Sequence, residues 1–460
     1  MHERVRVLND RKLGEGPVVY WSTSARRSTW NPALDHAIRI ANEHDRPLLV
    51  FEALRCDAPY TSRRFHAFVQ QGMQARAAEF EKAGITYHAF LETEPGAGKP
   101  WLADLAKRAG LIVADDHPGF FYPRMLAAAA KLPVRVEAVD GVGLLPLSIG
   151  KAFPSAYVFR RFVQKELPQR LASPEPLDVP EGYDWDGPHN PDVDLASLPI
   201  DGPDPVATRG DAGPRVVQDA IDGVERYPER NQPDANAQTG LSPYLHFGHV
   251  SAVEVVHGIL EAADWHPGML GQAKGQREGF WGLEPGAEAL LDQVITWREL
   301  GHMEARHNPA WNRYPGLPEW ARTTLEQHDG DRTAPYDLAT LEAAQTDDEI
   351  WNAAQRELLE SGRIHNYLRM LWGKKILEWA PSARDALRWM LHLNDTYALD
   401  GRDPNSVSGI FWCLGRYDRP WQERDVFGKV RCMTSDSTRR KLRLTGYLKQ
   451  WSPATPEGPA

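Results

Sequence analysis

Five short apolar runs, at residues 18–21, 48–51, 87–91, 111–114 and 134–139, open the chain, at a spacing of roughly 30 residues, that of a βαβ unit. Helical stretches such as NPALDHAIRIANEH and FHAFVQQGMQARAAEFEKAG lie between the earlier ones. Parallel strands need crossover connections of this length, so the pattern predicts an α/β domain built on a doubly wound parallel sheet. No GxGxxG follows the first run, and the dinucleotide fingerprint is therefore missing. Any ligand of this part is expected in the crevice at the carboxyl ends of the strands.

After SAYVFRRFVQKELPQRL the pattern changes. Residues 173–214 are dense in Pro, Asp and Gly and read as a surface linker. Beyond them the sequence is helical almost throughout, which predicts an α/β domain at 1–172, a linker at 173–214 and an all-α domain at 215–460. A chain of 460 residues can build two large cores. No apolar run approaches the ~18 residues of a membrane span, and no apolar signal region opens the chain. A cytoplasmic monomer with no membrane partner is expected. Cys56, Cys413 and Cys432 form no CxxC, so neither a disulfide frame nor a metal site is expected. A net charge of −10 argues against a chain that is basic all over, yet allows a local basic groove.

GRIHNYLRMLWGKKILEW reads as a helix, with Gly362 ending the helix before it and Pro381 stopping it. At about 100° per residue, His365, Arg369, Trp372, Ile376 and Trp379 share a stripe roughly 80° wide. Such a stripe faces a core and carries a guanidinium inward, where it needs a carboxylate. Asp395, Asp400 and Asp403 follow shortly after. On the stripe alone, a Trp-filled core helix with one structural ion pair is the better reading.

Three further constellations stand out. Thr239, Gly240 and Ser242 precede a helix, where hydroxyls and free N–H groups suit a phosphate, with Arg226, Tyr227 and Arg230 just upstream. A plain N-cap with Pro243 in the first turn fits the same spacing. In ITWRELGHMEARH, Glu299, His302, Met303 and Arg306 fall on one helix face. Glu299-x-x-His302 has the spacing of a carboxylate-bridged metal motif, but a single copy argues against metal. Trp351, Trp372 and Trp379 would relay electrons to a redox cofactor, and would equally fill a helical core.

RYPERNQPDANAQTGLSPYLHFG, IWNAAQRELLESGRIHNYLRMLWGKKILEW, LNDTYALDGRDPN, YDRPWQER and FGKVRCM occur in this order between residues 222 and 450. Together they make the chain resemble the photolyase/cryptochrome flavoproteins, most closely the class II cyclobutane pyrimidine dimer photolyases. The resemblance implies FAD, with its phosphates near Tyr227, Thr239, Gly240, Leu241 and Ser242, and Asn366 close by. It implies an Arg369–Asp400 pair against the flavin ring and Asn394 facing its N5. Trp351, Trp372 and Trp379 become electron-transfer residues. Glu299 becomes the group that hydrogen-bonds the dimer, and Trp412 a wall of its pocket. Lys429, Arg431, Arg439, Arg440 and Lys441 form a basic cluster suited to UV-damaged DNA. An antenna chromophore, deazaflavin or folate, is implied in the α/β domain.

The sequence departs from that pattern. His302, Met303 and Glu304 stand where the family carries Asp-Asn-Phe, Val253 and Glu254 where it often has Gln-Arg, and WCLGRYDRPW is one residue short. These changes are expected on the substrate side, leaving the flavin side intact. They keep two alternatives open: a cryptochrome-like photoreceptor, and repair of another photoproduct with His302 as general acid or base.

Overall fold

In the computed structural model, which describes residues 2–453, six strands form one sheet. They are β1 (Val5–Val7), β2 (Val18–Ser22), β3 (Leu48–Leu54), β4 (Tyr87–Leu91), β5 (Leu111–Asp115) and β6 (Arg135–Val139), in the order β1-β6-β5-β2-β3-β4. All neighbours are parallel except β1 with β6. Each of the five apolar runs coincides with a strand. β1 escaped because three half-exposed residues, VRV, carry no readable pattern. The chain winds from β2 to β3 and β4 on one side, then restarts at β5 and β6 on the other, leaving a switch point between β2 and β5.

β2 is buried at every position, as a strand covered on both faces must be. Val18 and Tyr20 join a core that continues into the helical part through Leu241, Tyr244, Leu291 and Leu300. Val19 and Trp21 pack on the opposite face with Phe51, Phe90 and Ile112. A separate core surrounds Trp351, Trp372 and Phe411. Asp115, ending β5, accepts the N–H groups of Thr23, Ser24 and Ala25 and the Tyr20 hydroxyl, and so pins the loop after β2 at the boundary between the two parts.

The stretch expected as a surface linker is laid down against the sheet. Leu48 N–H donates to the Glu181 carbonyl, and Trp185 is buried edge-on to Phe51 at 5.3 Å between ring centres. Leu198 and Ile200 close over Cys56. These few anchors are spaced too widely among Pro, Asp and Gly for composition to reveal them.

The helical part keeps its sequence signals. Gly362, at φ +71°, ends the helix Glu349–Ser361, and the helix Asn366–Trp379 follows with His365 as its cap residue. The segment from Pro285 to His307 is one long helix interrupted by a π-helical turn at Asp292–Trp297. Gly248, at φ +75°, lies where a Cβ would collide with the Ser24 carbonyl across the boundary between the two parts. Gly248→Ala is expected to cost about 2–4 kcal/mol of stability, read as a lowered Tm by calorimetry.

Candidate active site

A cavity of about 710 Å³ opens in the helical part. The π-turn supplies Asp292, Gln293 and Trp297; the helix Asn366–Trp379 supplies Asn366, Arg369 and Met370; the helix Pro404–Cys413 supplies Ser406, Ser408 and Trp412. Tyr417, Asp418 and Arg431 close the rim. A π-turn widens the helix by one residue per turn. Asp292 is held by Arg160 through two bonds of 2.7 and 3.0 Å, so Gln293 is the less encumbered polar group of that turn.

At the base, the Arg369 guanidinium donates to both oxygens of Asp400, at 2.8 and 3.2 Å. Burial alone would raise the Asp400 carboxyl, and the guanidinium more than offsets it, holding it below its ordinary value. Arg369 Nε is buried with no partner. Ser406 Oγ donates to Asn394 Oδ1 at 3.1 Å, so Asn394 is joined to the cavity through Ser406 and does not itself line it. Gly240 has φ +71° beside Arg363, and Ser242 opens the short helix Ser242–Phe247 near Asp400. Leu241 and Tyr227 are buried, the latter under the Arg230 guanidinium at 4.7 Å.

Behind the cavity the indoles are connected. Trp372 Nε1 donates to Gln355 Oε1 at 2.9 Å, and Trp351 Nε1 to the Trp372 carbonyl at 3.1 Å. Trp351 and Trp379 meet edge to face, 5.5 Å between ring centres. Tyr336 then packs on Trp379 at 5.0 Å, and its hydroxyl donates to Asp347 at the surface. Tyr336 was not foreseen, because a single loop aromatic has no pattern.

Tyr227, Thr239, Gly240, Leu241 and Ser242 do not line the cavity, and Glu299 and His302 lie farther off. Glu299 is 1 % exposed and faces the α/β part, accepting the N–H groups of Leu144 and Leu145 at 2.7 and 3.2 Å. It cannot reach a dimer in the cavity. His302 is fully buried on the same interface, with Nδ1 bonded to the Arg298 carbonyl and Nε2 3.9 Å from Asp403. With His117 and Asp403 it forms a buried cluster whose ligand atoms lie within 4.8 Å of one another, away from the lesion wall. The general acid or base role of His302 is thereby withdrawn. Met303 packs on Gly150, and Glu304 holds Asn308. Glu254 completes a capping box with Ser251. These departures from the family pattern fall on packing and capping, while the shortened segment puts Tyr417, at φ +64°, on the cavity rim.

The chain is 32% identical over 465 residues to the deoxyribodipyrimidine photo-lyase of Methanothermobacter thermautotrophicus, with 97% of each covered. It is 33% identical over 486 residues to that of Oryza sativa subsp. japonica, covering 97% of this chain and 89% of the relative. The chain belongs to the deoxyribodipyrimidine photo-lyase family. No protein-family model matches it. A bacterial class III photolyase from Agrobacterium tumefaciens shares its fold at TM-score 0.70 and 16% identity, covering 96% and 87% of the two chains. A Synechocystis cryptochrome does so at TM-score 0.70 and 15% identity, over 95% and 88%. The α/β sheet followed by a helical part is thus the photolyase fold.

Two further features belong to this photolyase frame. Arg431 is bonded twice to Asp418, stands 4.2 Å from the exposed Trp421 ring, and lines both the cavity and a neighbouring groove with Arg440 and Lys441. Lys429 lies 3.9 Å from Glu423, and Arg439 is turned away into a pair with Glu349. In the α/β part, a crevice of about 630 Å³ lies at the carboxyl ends of β2 to β4, walled by Trp21, Phe51, Phe121, Arg26, Lys99 and Arg402. Among the described residues no helix is long and apolar enough to cross a membrane.

Glu299 provides a pH test. Burial pushes its carboxyl up from 4.5 to about 7 against the pull of the Leu144 and Leu145 N–H groups. The folded state therefore binds a proton more tightly than the unfolded state, and this contribution to stability is full below about pH 4.5 and lost as the pH rises through about 7. Glu299→Gln is expected to flatten that loss, by up to about 3 kcal/mol across the window, in urea unfolding measured at a series of pH values.

Proposed function

We propose that this chain is a light-driven DNA repair enzyme that binds FAD in the helical cavity and splits cyclobutane pyrimidine dimers flipped out of UV-damaged DNA. Full-length identity to named photo-lyases carries the activity. The cavity supports the cofactor: its volume is in the usual range for such ligands, roughly 300–1,000 Å³, and it holds a buried guanidinium with an unpartnered Nε. Arg369 with Asp400 would take the isoalloxazine, Asn366 and the Thr239–Ser242 segment the remainder, and Asn394 would act through Ser406. When bound and photoexcited in its reduced form, the flavin supplies the electron that opens the cyclobutane ring.

The protein's own residues then position and shield. Trp297 and Trp412 offer apolar walls to a flipped-out dimer. Gln293, in place of Glu299, is the hydrogen-bonding group on the lesion side. Trp372, Trp351 and Trp379, with Tyr336 beyond them, serve as the path by which the flavin is reduced, and this order favours the class II-like reading. Arg431, Arg440, Lys441 and Lys429 would grip the DNA backbone, with Trp421 at the edge to stack on a base. The switch-point crevice would hold an antenna with a planar aromatic body and an anionic tail, the chemistry shared by deazaflavin and folate; mass spectrometry of the released chromophore separates the two.

The decisive assay is loss of thymine dimer from an oligonucleotide under blue light with photoreduced protein, against a dark control. Light-dependent loss is expected; none, with flavin bound and reduced, would refute the proposal. Arg369→Leu is expected to abolish flavin retention, breaking a buried pair worth about 3–5 kcal/mol. Gln293→Leu should keep the flavin and lower repair about tenfold or more, whereas Glu299→Gln should leave repair per folded molecule unchanged.

A further inference from the structure

Two cations stand at the Trp412 ring. Lys374 Nζ lies 5.1 Å and Arg431 Cζ 5.4 Å from its centre. Arg431 is neutralised by Asp418. Lys374 is different: it is fully buried, donates to the Cys413 carbonyl at 2.6 Å, and forms no ion pair among the described residues. A buried ammonium without a carboxylate is costly, and a methionine of similar length would fill the space without that cost.

The relay indoles are treated otherwise. Lys375 Nζ lies 4.9 Å from the Trp379 ring, but the same ammonium is bonded to Glu378 at 2.9 Å and lies 3.7 Å from Asp348. Trp351 and Trp372 each direct the indole N–H at a neutral oxygen, which favours positive charge on the ring. Of the two lysines set against indoles, the one at Trp412 is uncompensated and the one at Trp379 is paired.

We propose that Lys374 is a charge set against Trp412 to keep that indole from giving up an electron, so that photo-oxidation enters Trp372, Trp351 and Trp379 instead. The inference rests on flavin occupying the cavity. Loss of one electron to a photoexcited oxidised flavin would leave an indole radical cation, which the ammonium repels; the neutral ring, by contrast, attracts it. Among the described residues Trp412 has neither a packed ring nor a hydrogen bond tying it to another indole, whereas Trp351 is bonded to the Trp372 carbonyl and packs on Trp379, so a hole on Trp412 has no onward step along the relay. Lys374 acts through Trp412 and is a tuning residue, not a catalytic one.

The test is flash photoreduction of the flavin-loaded protein, following Trp radical lifetime and the yield of long-lived charge separation. Lys374→Met is expected to lower that yield about threefold or more, and Lys374→Met with Trp412→Phe to restore it. The wild type supplies a second arm that does not depend on the variant folding. Burial lowers Lys374 to about 8, with Cys413, Cys432, Asp418 and Arg431 facing it. Cys413 is pushed up to about 11. The wild-type yield should fall as pH rises through about 8, and Trp412→Phe should remove that step. Unchanged yield in Lys374→Met, or a wild-type yield flat across that pH range, would overturn the inference. A chain that binds no flavin would overturn both the proposed function and this inference.

Discussion

The Arg369–Asp400 pair fixes the relative placement of three helices. Arg369 comes from Asn366–Trp379, and Asp400 sits just before Pro404–Cys413. Ser406, on the latter helix, is within 3.4 Å of Arg369 and donates to Asn394 on Ala383–Tyr397. A buried guanidinium tolerates little freedom, because losing its carboxylate leaves an uncompensated charge in a low dielectric. The cavity wall is therefore set by electrostatics as well as by packing. Arg369 Nε, like Arg230 Nε and the Tyr417 hydroxyl on the same cavity, is left without a partner, and an acceptor brought by a ligand would supply one.

The parts of this design that were legible in the sequence share one property: they depend on local period. The five strands, the inward stripe with Arg369, Trp372 and Trp379, and the left-handed stop at Gly362 all follow from spacing alone. Glu299 is expected on the lesion side from the family resemblance and not from helical spacing, and the structure turns it to the α/β part instead. Gln293, inside the π-turn at Asp292–Trp297, lines the cavity, a position no sequence pattern marks. The packed linker and Tyr336 were hidden for another cause, since long-range contacts of isolated aromatics have no period.

The placement of the helix Arg298–His307 also changes what the sequence departures mean. His302 and Met303 meet the α/β part, at His117 and Gly150, and Glu304 braces Asn308. Substitutions that seemed to alter the substrate pocket instead retune how the two parts grip one another. Glu299 belongs to the same grip, since its carboxylate caps two N–H groups that burial would otherwise leave unpaired. On the cavity wall stand Gln293, Trp297, Trp412 and, at the shortened rim, Tyr417.

Residues 400–403 show how closely the two cavities are coupled. Asp400 turns to Arg369 at the base of one cavity, while Arg402, at φ +66°, turns to the other and lies 3.7 Å from the Phe65 ring. Asp403 caps the helix Pro404–Cys413 and receives His246, whose other nitrogen faces Arg402 at 3.4 Å. Four consecutive residues thus serve as the partition between crevice and cavity. Two buried aspartates, Asp400 and Asp403, stiffen that partition. A positive-φ arginine at its centre costs backbone strain that only such over-determined surroundings sustain.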